Sequence, residues 1–387
     1  MPFTDIIKQY GNFDANAYCA AVTAAQVERA LGKGRLDELD YLALLSPAAS
    51  APEYLEMMAR RAKEITRAHF GNVIFLFTPL YVSNICDNLC PYCSFAHQHR
   101  IKRRHLNVGE VRREAELIAQ TGLRHILMLT GESRAGASMQ YLQECAGVLK
   151  EFFSSIAIEV YPLDESEYAQ LVGCGVDGLT VYQETYDKDI YTGLHRGGPK
   201  EDFEYRLLAP ERACRAGMRA VTVGALLGLA PPVRDAWMSG LHARYILDKF
   251  PSVEISGSFP RLRPQEGEFV PAQAVGDRAF VQYMAAFRLF MPSAGITVST
   301  RESAPLRDSI LPLGPTKMSA GVSTSVGQGS GDATESQFEI ADRRSVSEMQ
   351  RDLLAQGFQP VLVDWNYILC RDGTKPAGPD VNKGTDT

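Results

Sequence analysis

The sequence predicts a closed (β/α)8 barrel of the TIM type, with an N-terminal helical extension and a short C-terminal tail. From about residue 72 short apolar runs alternate with longer amphipathic ones, and eight such short runs occur before the pattern stops. Repeated strand–helix units pair their strands in parallel through right-handed crossovers, and eight of them can close into a barrel. A doubly wound open sheet is the competing architecture for the same pattern. The 387 residues suit two average domains or one large barrel with extensions, and the 45% apolar content supports a sizeable core.

Residues 1–70 read as the helical extension. Val22–Leu31 runs helically to Gly32, and Pro52–His69 places apolar residues at helical spacing. The candidate strands are Asn72–Asn84, His125–Leu129, Ile156–Leu163, Gly178–Gln183, Ala220–Leu227, Val253–Pro260, Gly295–Thr300 and Lys317–Val322. Between the first two, Asn107 and Glu110 have the spacing of a capping box, opening a helix through Val111, Ala115 and Ile118 that stops at Gly122. Further helical patterns span Met139–Phe153, Glu165–Val172, Asp202–Ala216, Asp235–Lys249 and Arg278–Phe290. Residues 71–345 are assigned to the barrel on this basis. Residues 346–387 form the tail, with one helix (Val346–Gln356), an apolar run (Val361–Val363) and a segment, Thr374–Thr387, whose Gly, Pro, Asp and Lys content predicts disorder.

Charge and apolar distribution narrow the function classes. A net charge of -6 supplies no excess cation to neutralise phosphates, so a nucleic-acid partner is not expected. The basic run Arg100–Arg104 is the local exception, readable as a solvated surface or as a site for an anionic ligand or partner. Met1–Tyr10 mixes charged and apolar residues and does not resemble a signal peptide. No stretch approaches the roughly 20 apolar residues of a membrane span, so a cytoplasmic location without membrane association is expected. Of eight cysteines, Cys86, Cys90 and Cys93 crowd together while Cys19, Cys145, Cys174, Cys214 and Cys370 are scattered singly. That distribution suits thiols or metal ligands rather than a disulfide framework.

The chemistry centres on Cys86-Asp-Asn-Leu-Cys90-Pro-Tyr-Cys93, which follows the first candidate strand, where a barrel places its reacting groups. Three thiolates can hold three irons of a cubane cluster and leave the fourth iron open to a small chelating molecule. The amino and carboxylate groups of S-adenosylmethionine can bind there, and one electron into the sulfonium releases methionine and a 5′-deoxyadenosyl radical. Tyr92 can pack on the adenine. The rival is a structural zinc site completed by His97 or His99, in a zinc-stabilised binding protein without catalysis.

Cys-x3-Cys-x2-Cys with an aromatic before the last cysteine resembles the signature of the radical S-adenosylmethionine superfamily. The stretches Leu80–Cys86, Arg100–Arg103, Leu129–Glu132, Val181–Tyr186, Phe259–Pro264 and Ser299–Ser303 are similar to its aromatic amino-acid lyases, and most of all to the 2-iminoacetate synthases, the tyrosine lyases of thiamine thiazole biosynthesis. The similarity covers roughly residues 70–345. It implies a [4Fe-4S] cluster on Cys86, Cys90 and Cys93, with S-adenosylmethionine as co-substrate. It assigns Gly131 and Glu132 to the cofactor's amino group, Arg206 to its carboxylate, and Tyr92 to its adenine. Glu159 and Glu184 are candidates for its ribose hydroxyls or for a structural ion pair. Arg301 would grip the carboxylate of the substrate, L-tyrosine, with Tyr81 and Ser319 near its amino group. Hydrogen abstraction there would break the Cα–Cβ bond to give 2-iminoacetate and p-cresol. A thiazole synthase partner and a reduced flavodoxin or ferredoxin as electron donor are likewise implied, and the related tryptophan lyases are the alternative within the class. His195 has a counterpart in the relatives but no assigned role. Cys370, isolated, cannot form the second C-terminal cluster found in a related tyrosine lyase.

Overall fold

The computed structural model describes residues 2–265, 269–327, 329 and 333–363. Eight strands, β1 (Val73–Ser83), β2 (His125–Thr130), β3 (Ser155–Glu159), β4 (Gly178–Tyr182), β5 (Ala220–Gly224), β6 (Glu254–Ser258), β7 (Gly295–Val298) and β8 (Lys317–Ser319), pair in parallel in chain order. β8 then returns to β1, with Phe75 opposite Lys317 and Phe77 opposite Ser319, and β1 pairs β2 from Thr78 onward. The sheet therefore closes, and the open alternative is excluded.

All eight predicted strands form, but several are shorter at their C-terminal ends than their apolar runs. Pairing in β3 stops at Glu159 and in β5 at Gly224, while Val160, Tyr161, Leu163, Ala225 and Leu227 beyond them remain buried. An apolar run reports burial rather than pairing, and here the surplus residues form loops buried at the barrel mouth.

A ninth strand, β9 (Gln359–Val361), comes from the segment read as tail. It pairs in parallel with Val73–Phe75, on the edge of β1 away from β8. β1 is 11 residues long and meets β2 only from Thr78, so its first residues present backbone groups that β9 satisfies. Cys370 and Thr374–Thr387 lie outside the described residues.

The capping box at Asn107 and Glu110 opens the helix Val108–Gln120 as its spacing predicts. The pattern Asp202–Ala216 instead gives two helices, Phe203–Leu207 and Ala209–Arg215. Pro210 has no N–H to offer the carbonyl of Arg206, so one continuous helix cannot form. Among the N-terminal helices, Glu38–Leu44 stacks Tyr41 on Phe290 at 4.5 Å and bonds the Tyr41 hydroxyl to Ala236 O at 2.9 Å. The extension thus packs on the helices Pro232–Lys249 and Asp277–Phe290, which follow β5 and β6. No helix among the described residues is long and apolar enough to cross a membrane.

The segment after β8 is tied back by a buried pair. Arg307, on the helix Ala304–Ile310, meets the Asp342 carboxylate, both side chains being 1% exposed, and also donates to Ser319 O at 2.5 Å. Removing one partner strands a buried charge, at a cost of roughly 3–5 kcal/mol. Asp342→Ala is therefore expected to lower the urea midpoint clearly. The double change Arg307→Met with Asp342→Leu should recover much of the loss, as circular dichroism on the purified chain would show.

Candidate active site

The cysteine loop leaves β1 and lies directly across the end of β2. A Cβ on Gly131 would stand 2.3 Å from Ile85 O, so the crossing requires glycine at that position. Asn84 holds the base of the loop, accepting from Arg104 N at 2.7 Å and donating to Lys102 O at 2.8 Å. The Arg103 guanidinium donates to the carbonyls of Asn84, Phe95, Ala96 and His99 at 2.7–3.1 Å. Arg104 pairs with Glu110 at 2.9 Å. Arg103 and Arg104 are thus neither a free solvated face nor an anion site. They brace the cysteine loop.

Cys86, Cys90 and Cys93 line one cavity with all the residues the resemblance assigns to cofactor or substrate: Tyr81, Tyr92, Gly131, Glu132, Glu159, Glu184, Arg206, Arg301 and Ser319. Its empty space, counted to the open mouth, is about 1790 Å³.

Beside the cysteines lies a balanced quartet of buried charges. Arg206 reaches Glu132 at 2.9 Å and Glu184 at 3.4 Å, and Lys200 reaches Glu184 at 2.6 Å and Glu132 at 3.5 Å. Arg206 also donates to Tyr182 O at 2.7 Å. Burial alone would raise the Glu132 carboxyl, but the Arg206 and Lys200 charges outweigh it and bring it down to about 2. Glu184 is lowered in the same balance of burial against Lys200 and Arg206. Its backbone has φ 72°, the one positive value at a non-glycine position among the described residues, just past the end of β4. Asn88 connects the quartet to the cysteine loop, donating to Glu132 at 3.1 Å and accepting from Lys200 N at 2.9 Å. Gly198 (φ 85°) permits that contact, since a Cβ there would stand 2.5 Å from the Asn88 Oδ1.

The sequence reading missed Lys200 and Asn88. Lys200 sits in a Gly-Gly-Pro-Lys loop with no motif around it, and Asn88 occupies a spacer position of the triplet. Tyr92, expected to face an adenine, is buried with its hydroxyl 2.6 Å from His195 Nε2, and His195 Nδ1 lies 2.8 Å from Tyr191 O. His195 therefore has a place: it holds Tyr92, which packs with Cys90, Leu226 and Leu229.

Farther along the cavity, Glu159 ends β3. Burial, then the Glu184 charge, push its carboxyl up to about 7 against the pull of Arg301, Arg206 and Lys200. Tyr81 donates to Gln337 Oε1 at 2.8 Å. Ser319 accepts from Thr300 N at 3.0 Å, beside Arg301. Arg301 lies 3.4 Å from the centroid of the Phe338 ring and, among the described residues, forms no salt bridge, its charged neighbours Glu159 and Glu184 acting at longer range. No motif marks Gln337 or Phe338, which lie past the last barrel strand, β8.

The residues fit an iron–sulfur cluster with a chelating guest better than a single zinc ion. The thiols are pushed up by burial, to about 11 at Cys86 and about 12 at Cys90, so metal must displace their protons to bind. Among the described residues no three His, Cys, Asp or Glu groups close on one metal ion. His97 Nδ1 and His99 Nδ1 lie instead against backbone carbonyls, at 3.3 and 3.2 Å. Zinc gathers its four donors within about 2.3 Å of one centre, whereas a cubane spreads three thiolates over three corner irons. The Thr130 hydroxyl, which also lines the cavity, is buried without a partner and suits a polar group of a bound guest.

Residues 80–235 match the Radical SAM superfamily, and residues 258–359 match the Biotin and Thiamin Synthesis associated domain. The chain is 42% identical to a 2-iminoacetate synthase of Escherichia coli (strain K12), over 95% of this chain and 98% of that one. It is 41% identical to the 2-iminoacetate synthase of Salmonella typhimurium (strain LT2), with the same coverage. The X-ray structure of the FeFe-hydrogenase maturase HydG from Carboxydothermus hydrogenoformans superposes with a TM-score of 0.82 at 30% identity, over 94% of this chain and 83% of that one. Near-complete coverage at this identity, on a barrel whose mouth carries the three cysteines, places the chain in the 2-iminoacetate synthase family.

Proposed function

We propose that the protein is a radical S-adenosylmethionine lyase that cleaves the Cα–Cβ bond of L-tyrosine to 2-iminoacetate and p-cresol, supplying the imine for the thiazole of thiamine. The observation that carries this reading is Arg301. Arg301 lines the cavity that the three cysteines line and, among the described residues, forms no salt bridge, feeling Glu159 and Glu184 only at longer range. An unpaired arginine beside an aromatic ring suits an amino-acid carboxylate, through its bidentate fork.

Cys86, Cys90 and Cys93 would hold a [4Fe-4S] cluster that, with S-adenosylmethionine, supplies the 5′-deoxyadenosyl radical. The quartet of Glu132, Arg206, Glu184 and Lys200 already pairs ammonium and guanidinium with carboxylate. A zwitterionic methionine tail can exchange into that pattern, its amine toward Glu132 and its carboxylate toward Arg206. Arg301 fixes the substrate carboxylate, while Tyr81 and Ser319 position the substrate amine. The catalytic demand is then placement of one amine hydrogen beside the abstracting carbon. Loss of that hydrogen breaks Cα–Cβ, leaving 2-iminoacetate and a 4-hydroxybenzyl radical. The latter takes up one electron and one proton to leave as p-cresol. In this reading a reduced flavodoxin or ferredoxin delivers electrons and a thiazole synthase consumes the imine. The match of residues 258–359 to a thiamin-synthesis domain supports that placement.

Anaerobic reconstitution with iron, sulfide, dithionite, S-adenosylmethionine and tyrosine should yield 5′-deoxyadenosine together with p-cresol. One tightly bound zinc and no iron would overturn the reading, and an indole product from tryptophan alone would reassign the substrate. Changing any one of Cys86, Cys90 or Cys93 to alanine should abolish formation of 5′-deoxyadenosine. Arg301→Gln should leave slow, tyrosine-independent cofactor cleavage in place. Its kcat/KM for tyrosine should fall about 30-fold or more, since truncating one member of a buried charge pair costs roughly 2–5 kcal/mol. A wild-type kcat/KM in that variant would remove Arg301 from the substrate site.

A further inference from the structure

Beyond β8 the chain turns back over the barrel mouth. Gln337 N donates to Thr324 O at 3.0 Å, and Thr324 Oγ1 to Phe338 O at 3.1 Å. Glu339 N bonds to Pro264 O at 3.0 Å, Ala341 N to Thr300 O at 2.9 Å, and Lys102 N to the Glu335 carboxylate at 3.0 Å. The segment is thereby anchored to the loops that follow β1, β6, β7 and β8. It presents two consecutive side chains, Gln337 and Phe338, to the cavity.

The Gln337 amide bonds both Tyr81 and a cysteine of the triplet. Its Oε1 accepts from the Tyr81 hydroxyl at 2.8 Å, and its Nε2 donates to Cys93 Sγ at 3.7 Å. The chemistry agrees with this orientation of the amide. A metal-bound thiolate has no proton to give and must face the NH2, and the phenol then donates to the carbonyl.

We propose that Gln337 is a positioning residue with two separable effects: its N–H tunes the reduction potential of the centre held by Cys93, and its carbonyl orients Tyr81 toward the substrate amine. The inference rests on the tyrosine-lyase reading and adds to it a residue from outside the eight barrel strands. Hydrogen bonds to cluster sulfurs are among the protein's levers on potential, and their donors act from the shell around the ligands. The bond to sulfur disperses thiolate charge, so its loss makes the centre harder to reduce. The adjacent Phe338 stacks on Arg301, so the same segment touches the cysteine loop through Gln337 and the arginine assigned to the substrate through Phe338.

The test compares Gln337→Leu, Gln337→Glu and Tyr81→Phe as reconstituted full-length enzyme. The cluster midpoint is read by electron paramagnetic resonance during redox titration without tyrosine, and the ratio of 5′-deoxyadenosine to p-cresol is read with it. Both Gln337 variants should shift the midpoint to more negative potential, while Tyr81→Phe leaves it in place. Gln337→Leu and Tyr81→Phe should both raise the product ratio, by up to about 100-fold if Tyr81 is displaced by an ångström. Gln337→Glu keeps an acceptor for Tyr81, so its ratio should rise less than that of Gln337→Leu. Wild-type midpoints in both Gln337 variants, with an unchanged ratio in Gln337→Leu, would overturn the proposal. Should one Gln337 variant fail to fold, the other still reads the midpoint. A wild-type protein that assembles no cluster would instead sink the lyase reading itself, so the two failures are distinguishable.

Discussion

The site depends on a charge balance. Two carboxylates and two cations, Glu132, Glu184, Lys200 and Arg206, are held together at the barrel mouth with little solvent around them. Each such ion would lose several kcal/mol of hydration on burial, a loss offset only by partners at short range. That requirement links otherwise separate parts of the chain. Glu132 comes from the end of β2, Glu184 from just past β4, and Lys200 and Arg206 from the segment between β4 and β5. Asn88 draws the cysteine loop into the same arrangement. The mouth is therefore set before any guest enters, and a zwitterion can replace internal pairs with its own.

Room for guests comes from the strand residues that point inward. Barrels of this type commonly fill their interior with layers of bulky branched side chains. Here Ala157, Gly178, Thr180, Ala220, Thr222 and Thr297 line the cavity together with larger side chains such as Phe77, Leu127 and Leu129. Small residues leave space, and threonine hydroxyls keep it polar. Thr297 Oγ1, like Thr130 Oγ1, is buried with no hydrogen-bond partner. Outside the barrel, the N-terminal helices add packing on the helices that follow β5 and β6.

The chain closes this space from a distance in sequence. The segment after β8 is held to the barrel through Arg307 and Asp342, and it brings Gln337 and Phe338 to Tyr81, Cys93 and Arg301. Cation–π contact with Phe338 orients the Arg301 guanidinium without neutralising it. A carboxylate at that place would have paired with the arginine and competed with a substrate's own carboxylate. An aromatic ring leaves the charge available.

Local chemistry was enough to predict the strand–helix alternation, the capping box at Asn107 and Glu110, and the cysteine triplet at the end of β1, because each is written within a few consecutive residues. Periodicity and spacing are local properties of the chain. Resemblance extended this to Glu132, Arg206 and Arg301, and the fold gathers all three into one cavity with the cysteines. Tertiary structure alone decided the rest. Lys200, Asn88 and Gln337 acquire meaning only from partners far away in sequence, at Glu184, Glu132 and Cys93. The edge of β1 that β9 covers exists only once β2 has taken its register on β1. Pairing between distant residues leaves no periodic trace along the chain, so closure of the barrel was readable from sequence while the strap across its mouth was not.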